Sequence, residues 1–356
     1  MRKSVRIEGG GPAACAAIFG LCRSGFAIDL SVPTEDFTAP PLVLNEGTVQ
    51  LLGELCGRSQ LFAAAHELRR RVVAWGEAAP TVIAEPALSI SGAHFREGLL
   101  RIAIDGLGAS RGGGRTTPPA PPAESTGQAW TLCASAAAAP AGSRVERFGA
   151  RAMLFAEVGL SDAANADCCW IEAGAEGWVF LAPLGARRAV VQAALPADPR
   201  GDAAMVLAGI LGSTRHIARL IADFETVVHS HPIAPAIRHP LVGDGWLAVG
   251  STAMALDPIC GDGTGQALRS GVLAAALVAA AEEGGDRRAL VAHFERRLLR
   301  SFGAHLAACT RLYQATLFGS RWQREIAEGA AATATFSAAA NAPLEFSLNN
   351  LKLAPA

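Results

Sequence analysis

Residues 9–14 read Gly-Gly-Gly-Pro-Ala-Ala, a G-x-G-x-x-A pattern between an alternating segment, Ser4 to Glu8, and an alanine-rich stretch with helical apolar spacing. No other feature limits the fold as strongly. Gly9 permits a tight strand-to-helix turn, and Gly11 lets the backbone come close to a bound group. Small Ala14 allows the helix to pack on the strand, and Gly10, Pro12 and Ala13 complete the loop. A helix starting here offers free N–H groups and the positive end of its dipole, the setting for a dinucleotide pyrophosphate. Helical spacing stops at Gly25, and Phe26 to Val32 reads as a second strand. The chain therefore opens as a βαβ unit of roughly thirty residues, the context this motif needs. A purely structural glycine turn is the competing reading.

A second glycine segment lies far along the chain, from Gly245 to Gly271. A strand ends at Gly250, Ser251 follows, and Asp257-Pro258 leads into Gly261, Asp262, Gly263, Thr264 and Gly265 at the head of a helix running to about Ala281. Physically this is another cradle at a helix start, suited to an anion or to the polar edge of a ring that gains negative charge. An ordinary glycine-rich turn would have the same composition.

Between the two, helices are expected at Thr48 to Cys56 and Leu61 to Trp75. Strands are expected at Trp130 to Ser135 and, within Arg151 to Leu195, as RAMLFAEV, CCWIEA, GWVFLAPL and RAVVQAAL. The pattern turns helical after Asp198, and two late helices are expected at Arg287 to Thr316 and Trp322 to Ala332. Residues Gly106 to Gln128 are of low complexity and read as a mobile surface loop.

Bulk properties narrow the partners. Hydrophobic residues reach 51%, but alanine inflates the figure, and the apolar run Gly271 to Ala281 is too short to span a bilayer. The start, MRKS, carries none of the apolar region of a secretion signal, so a cytoplasmic protein with no membrane insertion is expected. A net charge of −1 offers nothing to nucleic acid or acidic lipid. The eight cysteines include no CxxC pair and read as buried small hydrophobes. His229 and His231 alternate as on a strand with no third ligand at a useful spacing, so no metal is expected.

Taken together, the two glycine segments resemble the flavoprotein monooxygenases of the para-hydroxybenzoate hydroxylase fold. Those proteins carry an early G-x-G-x-x-G and a late G-D-A-A-H-x-x-x-P-x-x-G-x-G, which here reads GSTAMALDPICGDG. The resemblance narrows to the branch of tryptophan halogenases, geranylgeranyl reductases and flavoproteins that oxidise peptide-bound tryptophan to quinone cofactors. Cys133-Ala134-Ser135-Ala136 stands where that branch has D-A-S-G, and Asn45-Glu46-Gly47 is similar to its G-E-S. Trp75-Gly76, Tyr313 and Trp322 also find counterparts.

The resemblance implies an α/β (α+β) architecture: a Rossmann-type FAD-binding domain with an inserted mixed or antiparallel-sheet substrate domain and C-terminal helices. It divides the chain into an FAD-binding domain of residues 1–75, 93–150 and 240–285, a substrate-binding sheet domain of 76–92 and 151–239, and a helical region of 286–356. FAD would lie on Gly9 to Ala14, Glu46, Gly250, Ser251, Asp257, Pro258, Gly261, Gly263, Thr264 and Gly265. Asp262, beside the flavin edge, is the acid–base candidate. Two departures bear on affinity: Val32 stands where an acidic residue should hold the adenosine ribose, with Glu35 and Asp36 just beyond, and Ser251 replaces the late aspartate.

Halogenation in this branch depends on a lysine between flavin and substrate, and the only lysines are Lys3 and Lys352. Trp178 to Pro183, WVFLAP, matches the halogenase W-x-W-x-I-P only in part. The implied activity is hydroxylation of an aromatic small molecule or a peptidyl tryptophan through a flavin hydroperoxide, with Trp178 and Phe180 as pocket or core residues. Electrons would come from NAD(P)H or a separate flavin reductase. The alternatives are a flavin-dependent reductase of isoprenoid double bonds and a flavoprotein relic acting as an assembly or binding factor.

Overall fold

The computed structural model describes residues 3–33, 40–57, 61–76, 79–109, 115–116, 130–197, 199, 201–224, 227–315, 319–341, 343–349 and 351–355. The expectations for Glu35, Asp36 and most of the low-complexity segment fall outside the described residues. Seven α-helices are described: α1 (Pro12–Arg23), α2 (Glu46–Cys56), α3 (Gly92–Ala109), α4 (Ala203–Ser213), α5 (Gly263–Glu282), α6 (Arg287–Gln314) and α7 (Gln323–Asn341).

The first sheet has Ser4–Glu8 at its centre, paired in parallel with Ala27–Ser31 on one side and Trp130–Cys133 on the other. Trp246–Ala248 adds a further parallel strand beside Trp130–Cys133. Val5, Ile7, Leu132, Leu247 and Ala248 are fully buried, as expected when helices cover both faces of a parallel sheet. This is the doubly wound, Rossmann-type arrangement implied by the opening βαβ unit.

The alanine content has a structural use where α1 meets α5. A Cβ on Gly20 would lie 2.7 Å from Ala275 Cβ, and one on Gly271 would lie 2.0 Å from the Ala13 carbonyl oxygen. Helix backbones can approach this closely only where both faces carry small residues. Ala13 to Leu21 of α1 are all buried. Among the described helices only α5 is long and apolar enough to cross a membrane by length and composition, and 61% of that apolar window is buried within the protein.

The second sheet is mixed and larger. Its main path runs Ile221–Phe224, Ala152–Leu160, Arg188–Leu195, Gly177–Gly185, Cys168–Gly174, His66–Trp75, Thr81–Ile90 and Leu42–Asn45. The four mid-chain strands fall where the sequence reading places them. His66–Trp75 corrects the expected helix over Leu61 to Trp75. Leu61, Ala65, Leu68 and Val72 recur at helical spacing, but Cys168–Gly174 on one side and Thr81–Ile90 on the other draw the segment into the sheet. Residues 42–45 and 66–75 thus join the second sheet, although the sequence boundary grouped them with the nucleotide-binding part. Helix α3 and the C-terminal hairpin Phe346–Asn349/Lys352–Pro355 are elements that periodicity did not announce.

Candidate cofactor and substrate site

Two helix starts stand out by what they lack. Helix α2 is capped by the Asn45 side chain, α4 by Asp202 and α6 by Asp286. Among the described residues no side chain caps α1 or α5, and neither has an acidic residue in its first turn. Their first-turn N–H groups and dipole ends are left for an incoming anion or polar ring edge.

At the start of α1, Gly9 adopts φ +136°, and a Cβ there would press within 2.7 Å of the Ala134 carbonyl carbon. Only glycine fits. Its N–H donates to the Ser31 carbonyl at 2.8 Å, which pins the loop to the second strand. A Cβ on Gly11, by contrast, would point into open space with nothing within 4 Å. Pro12 occupies the first turn, where its missing N–H costs nothing. Gly250, at φ +59°, approaches Ala13, and its N–H donates to the buried Ser270 hydroxyl at 2.9 Å. Ser251 is exposed beside this contact.

The start of α5 repeats the arrangement. Gly261 takes the left-handed conformation, φ +65°, and the space beyond Gly263 is open. Gly265 is crowded: a Cβ there would lie 2.7 Å from the Thr48 hydroxyl of α2. Glu46, exposed in the first turn of α2, is therefore within a helical turn of the head of α5. Helix α5 crosses α1 at Gly271, eight residues after Gly263, so its head projects about 12 Å beyond the crossing at 1.5 Å per residue. Asp262 pairs with Arg269 and lines a cavity of about 350 Å³ with Cys260, Gln266, Arg297, Arg300 and His305.

The Asp257 carboxylate is turned inward. It is 1% exposed; Oδ1 accepts from the Ile259 N–H at 3.0 Å, and Oδ2 accepts from Arg151 Nε and the Tyr313 hydroxyl, both at 3.0 Å. Trp178 Nε1 in turn donates to the Tyr313 oxygen at 3.1 Å. Arg151 Nη1 donates to Glu325 Oε2 at 2.9 Å, and Glu325 Oε1 accepts from the Ala150 N–H at 2.8 Å. The Arg151 guanidinium also stands 5.0 Å from the centre of the Tyr313 ring. Burial alone would push Arg151 down, but Asp257, with Tyr313 and Glu325, outweighs it and holds the group above the ordinary arginine value. Burial pushes the Glu325 carboxyl up, and burial together with Asp257 pushes the Tyr313 phenol well up. Asp257 thus holds the loop in shape.

Trp178 is core, packed with Tyr313 and Trp322. Half-buried Trp75, Ile171, Phe180, Ile259 and Cys260 pack against the same cluster, and the buried Trp75 Nε1 has no hydrogen-bond partner among the described residues. Val32 is 39% exposed, with Cγ1 3.0 Å from where a Gly10 Cβ would stand. Lys3 pairs with Glu282 at the far end of α5, and Lys352 is exposed on the terminal hairpin. His229 and His231 stack on Phe155. Sequence reasoning missed Arg151, Glu325 and the convergence of Cys260, His305 and Cys309, whose donor atoms lie within 4.8 Å of one another. Arg151 and Glu325, and Cys260 and its two partners, lie too far apart in the chain to leave a spacing signal; only His305 and Cys309, four apart on α6, share a helical spacing.

No protein-family model matches the sequence, and no curated protein does. Solved structures do match. The peptidyl tryptophan dihydroxylase QhpG superposes with a TM-score of 0.75 at 19% identity, over 100% of this chain and 86% of that one. The flavin-dependent halogenase CmlS gives 0.76 at 17% identity, over 91% and 68%. A geranylgeranyl bacteriochlorophyll reductase-like protein from Thermoplasma acidophilum gives 0.70 at 16%, over 97% and 93%. All three branches suggested by the motifs are represented, and this chain has the fold of the FAD-binding, Rossmann-type flavoproteins.

Proposed function

We propose that the protein is an FAD-dependent monooxygenase that hydroxylates an aromatic ring. The observation carrying this reading is the pair of uncapped helix starts, each opening onto free space at a glycine, Gly11 and Gly263. The residues present fit the cofactor. Gly9 to Ala14 would hold the pyrophosphate, and Gly261 to Gly265 would face the polar edge of the flavin ring. FAD would supply the redox and oxygen chemistry; the protein's task is to orient the substrate and exclude water. Half-buried Trp75, Phe180, Ile171 and Ile259 offer an apolar wall for a flat ring, and the unpartnered Trp75 N–H offers one polar contact. A tryptophan side chain in a peptide is the favoured substrate, by analogy with QhpG. Halogenation is disfavoured because Lys3 is about 30 Å from the head of α5, the length of a twenty-residue helix. NAD(P)H or a separate reductase would supply electrons.

The experiment has two stages. Because Val32 and Ser251 offer weaker ribose contacts than carboxylates, the protein is expected to purify partly colourless and to take up added FAD, with a concentration-dependent rise in melting temperature. No uptake and no thermal shift would sink the cofactor assignment. The reconstituted protein, supplied with reductant, should then consume oxygen faster with an aromatic or tryptophan-containing peptide, and that substrate should gain one oxygen atom. Oxygen-independent reduction of an isoprenoid double bond would shift the assignment to a reductase. Full turnover by Asp262→Asn would remove that residue from the chemistry.

A further inference from the structure

Cys260 ends the short turn Pro258–Cys260, and Cys309 lies on α6 one turn after His305. Their Sγ atoms are 3.5 Å apart, and His305 Nε2 is 3.3 Å from Cys309 Sγ. Cys309 is 4% exposed, whereas Cys260 and His305 line the cavity of about 350 Å³. Two chemistries suit such a cluster: a soft metal ion, or a pair of thiols that exchange electrons.

The hydrogen bonds decide between them. The Asp257 backbone N–H donates to His305 Nε2 at 2.9 Å, so the imidazole lone pair nearest the sulfurs is already engaged. Coordination through that nitrogen would break a bond that shapes the glycine loop and leave its N–H unpaired. Oxidation of the two sulfurs needs no such sacrifice. We propose that Cys260 and Cys309 are a peroxide-oxidised dithiol, in which Cys260 is the attacking sulfur and Cys309 the resolving one.

The step balances. The Cys260 thiolate attacks one oxygen of hydrogen peroxide, the O–O bond breaks, and a sulfenic acid and hydroxide form. Cys309 then attacks the Cys260 sulfur, displacing a second hydroxide. With the two thiol protons the hydroxides leave as water, so two thiols and one peroxide give one disulfide and two waters. The electrostatics support these roles. Hydrogen bonds from Cys309 and then His305 hold the Cys260 thiol below the ordinary cysteine range, while the same contact with Cys260, together with burial, pushes Cys309 up. Burial pushes Cys15 and Cys133 up to about 12, which leaves them inert. The new bond would tie the glycine loop before α5 to α6, whatever that loop binds.

Peptide mass spectrometry on the full chain, after one equivalent of hydrogen peroxide and alkylation of the remaining thiols, tests this. The expected product is a Cys260–Cys309 cross-link, with Cys260 reacting roughly tenfold faster than an ordinary exposed thiol. Cys309→Ser should stop at a Cys260 sulfenic acid that dimedone traps, and Cys260→Ser should leave Cys309 reduced. Wild-type protein whose Cys309 alkylates equally before and after peroxide would overturn the proposal without recourse to any variant. So would purified protein that retains one equivalent of zinc and loses it on His305→Gln.

Discussion

The two glycine loops do similar work in different ways. The loop at 9–14 is supported by neighbours along the first sheet: Gly9 bonds to Ser31 and rests on Ala134, and among the described residues no charged side chain is seen to hold it. The loop from Asp257 to Gly265 is held from outside by Arg151, Tyr313 and His305, which reach it from the second sheet and from α6. A loop built on backbone contacts tolerates change elsewhere in the molecule. A loop hung on a buried charge does not. The loop at 9–14 should therefore be a rigid local device, and the loop at 257–265 should report on packing between the two sheets and the C-terminal helices; under the proposed placement of FAD these are its adenosine and ring ends.

The largest effect is expected from Arg151→Met. It leaves Asp257 and Glu325 buried without their cation, which typically costs about 3–5 kcal/mol. The melting temperature should fall by roughly 5–15 °C, and FAD affinity should fall with it because the second loop loses its anchor. A variant that loses stability yet binds FAD as tightly as wild type would show that the second loop does not depend on the buried cluster. Next comes Gly11→Val, which fills the open space at the head of α1. Here FAD affinity should drop at least a hundredfold, about 2.7 kcal/mol, with the melting temperature of the cofactor-free protein little changed. An equal loss of stability would mean the first loop is not the independent unit described. The smallest effect belongs to Tyr313→Phe, which removes one of the Asp257 donors and leaves the Trp178 N–H without its acceptor, at about 1–2 kcal/mol. Chemical denaturation should detect it. The comparison would sharpen if the flavin spectrum of this variant shifted while its FAD affinity held.

Local chemistry made part of this legible in the sequence. Gly9, Gly11 and Ala14 sit in one loop, between a strand and a helix that announce themselves by alternation and helical spacing, so that end of the site needs no distant partner to be recognised. The late segment from Gly250 to Gly265 was equally readable as a motif. The four mid-chain strands were readable as apolar runs bounded by turn residues. The segment at His66 to Trp75 was not, because Leu61, Ala65, Leu68 and Val72 satisfy a helical period and only pairing on both sides overrules it.

What the sequence by itself determined is the set of local constraints: a strand–loop–helix opening on a glycine loop, a second helix headed by glycines, and a chain with lysine only at positions 3 and 352. The tertiary structure alone decided the rest. It turned Asp257 inward onto Arg151 and Tyr313, drew Glu325 to the same guanidinium, and set Cys260 against Cys309 and His305. Each of these contacts joins residues at least 45 positions apart. At such separations the chain carries no periodic signal, and the partners are chosen by which elements pack against one another. The same applies to alanine: its abundance reads as composition until α1 and α5 meet at Ala13, Gly20, Gly271 and Ala275, where any larger side chain would force the helices apart.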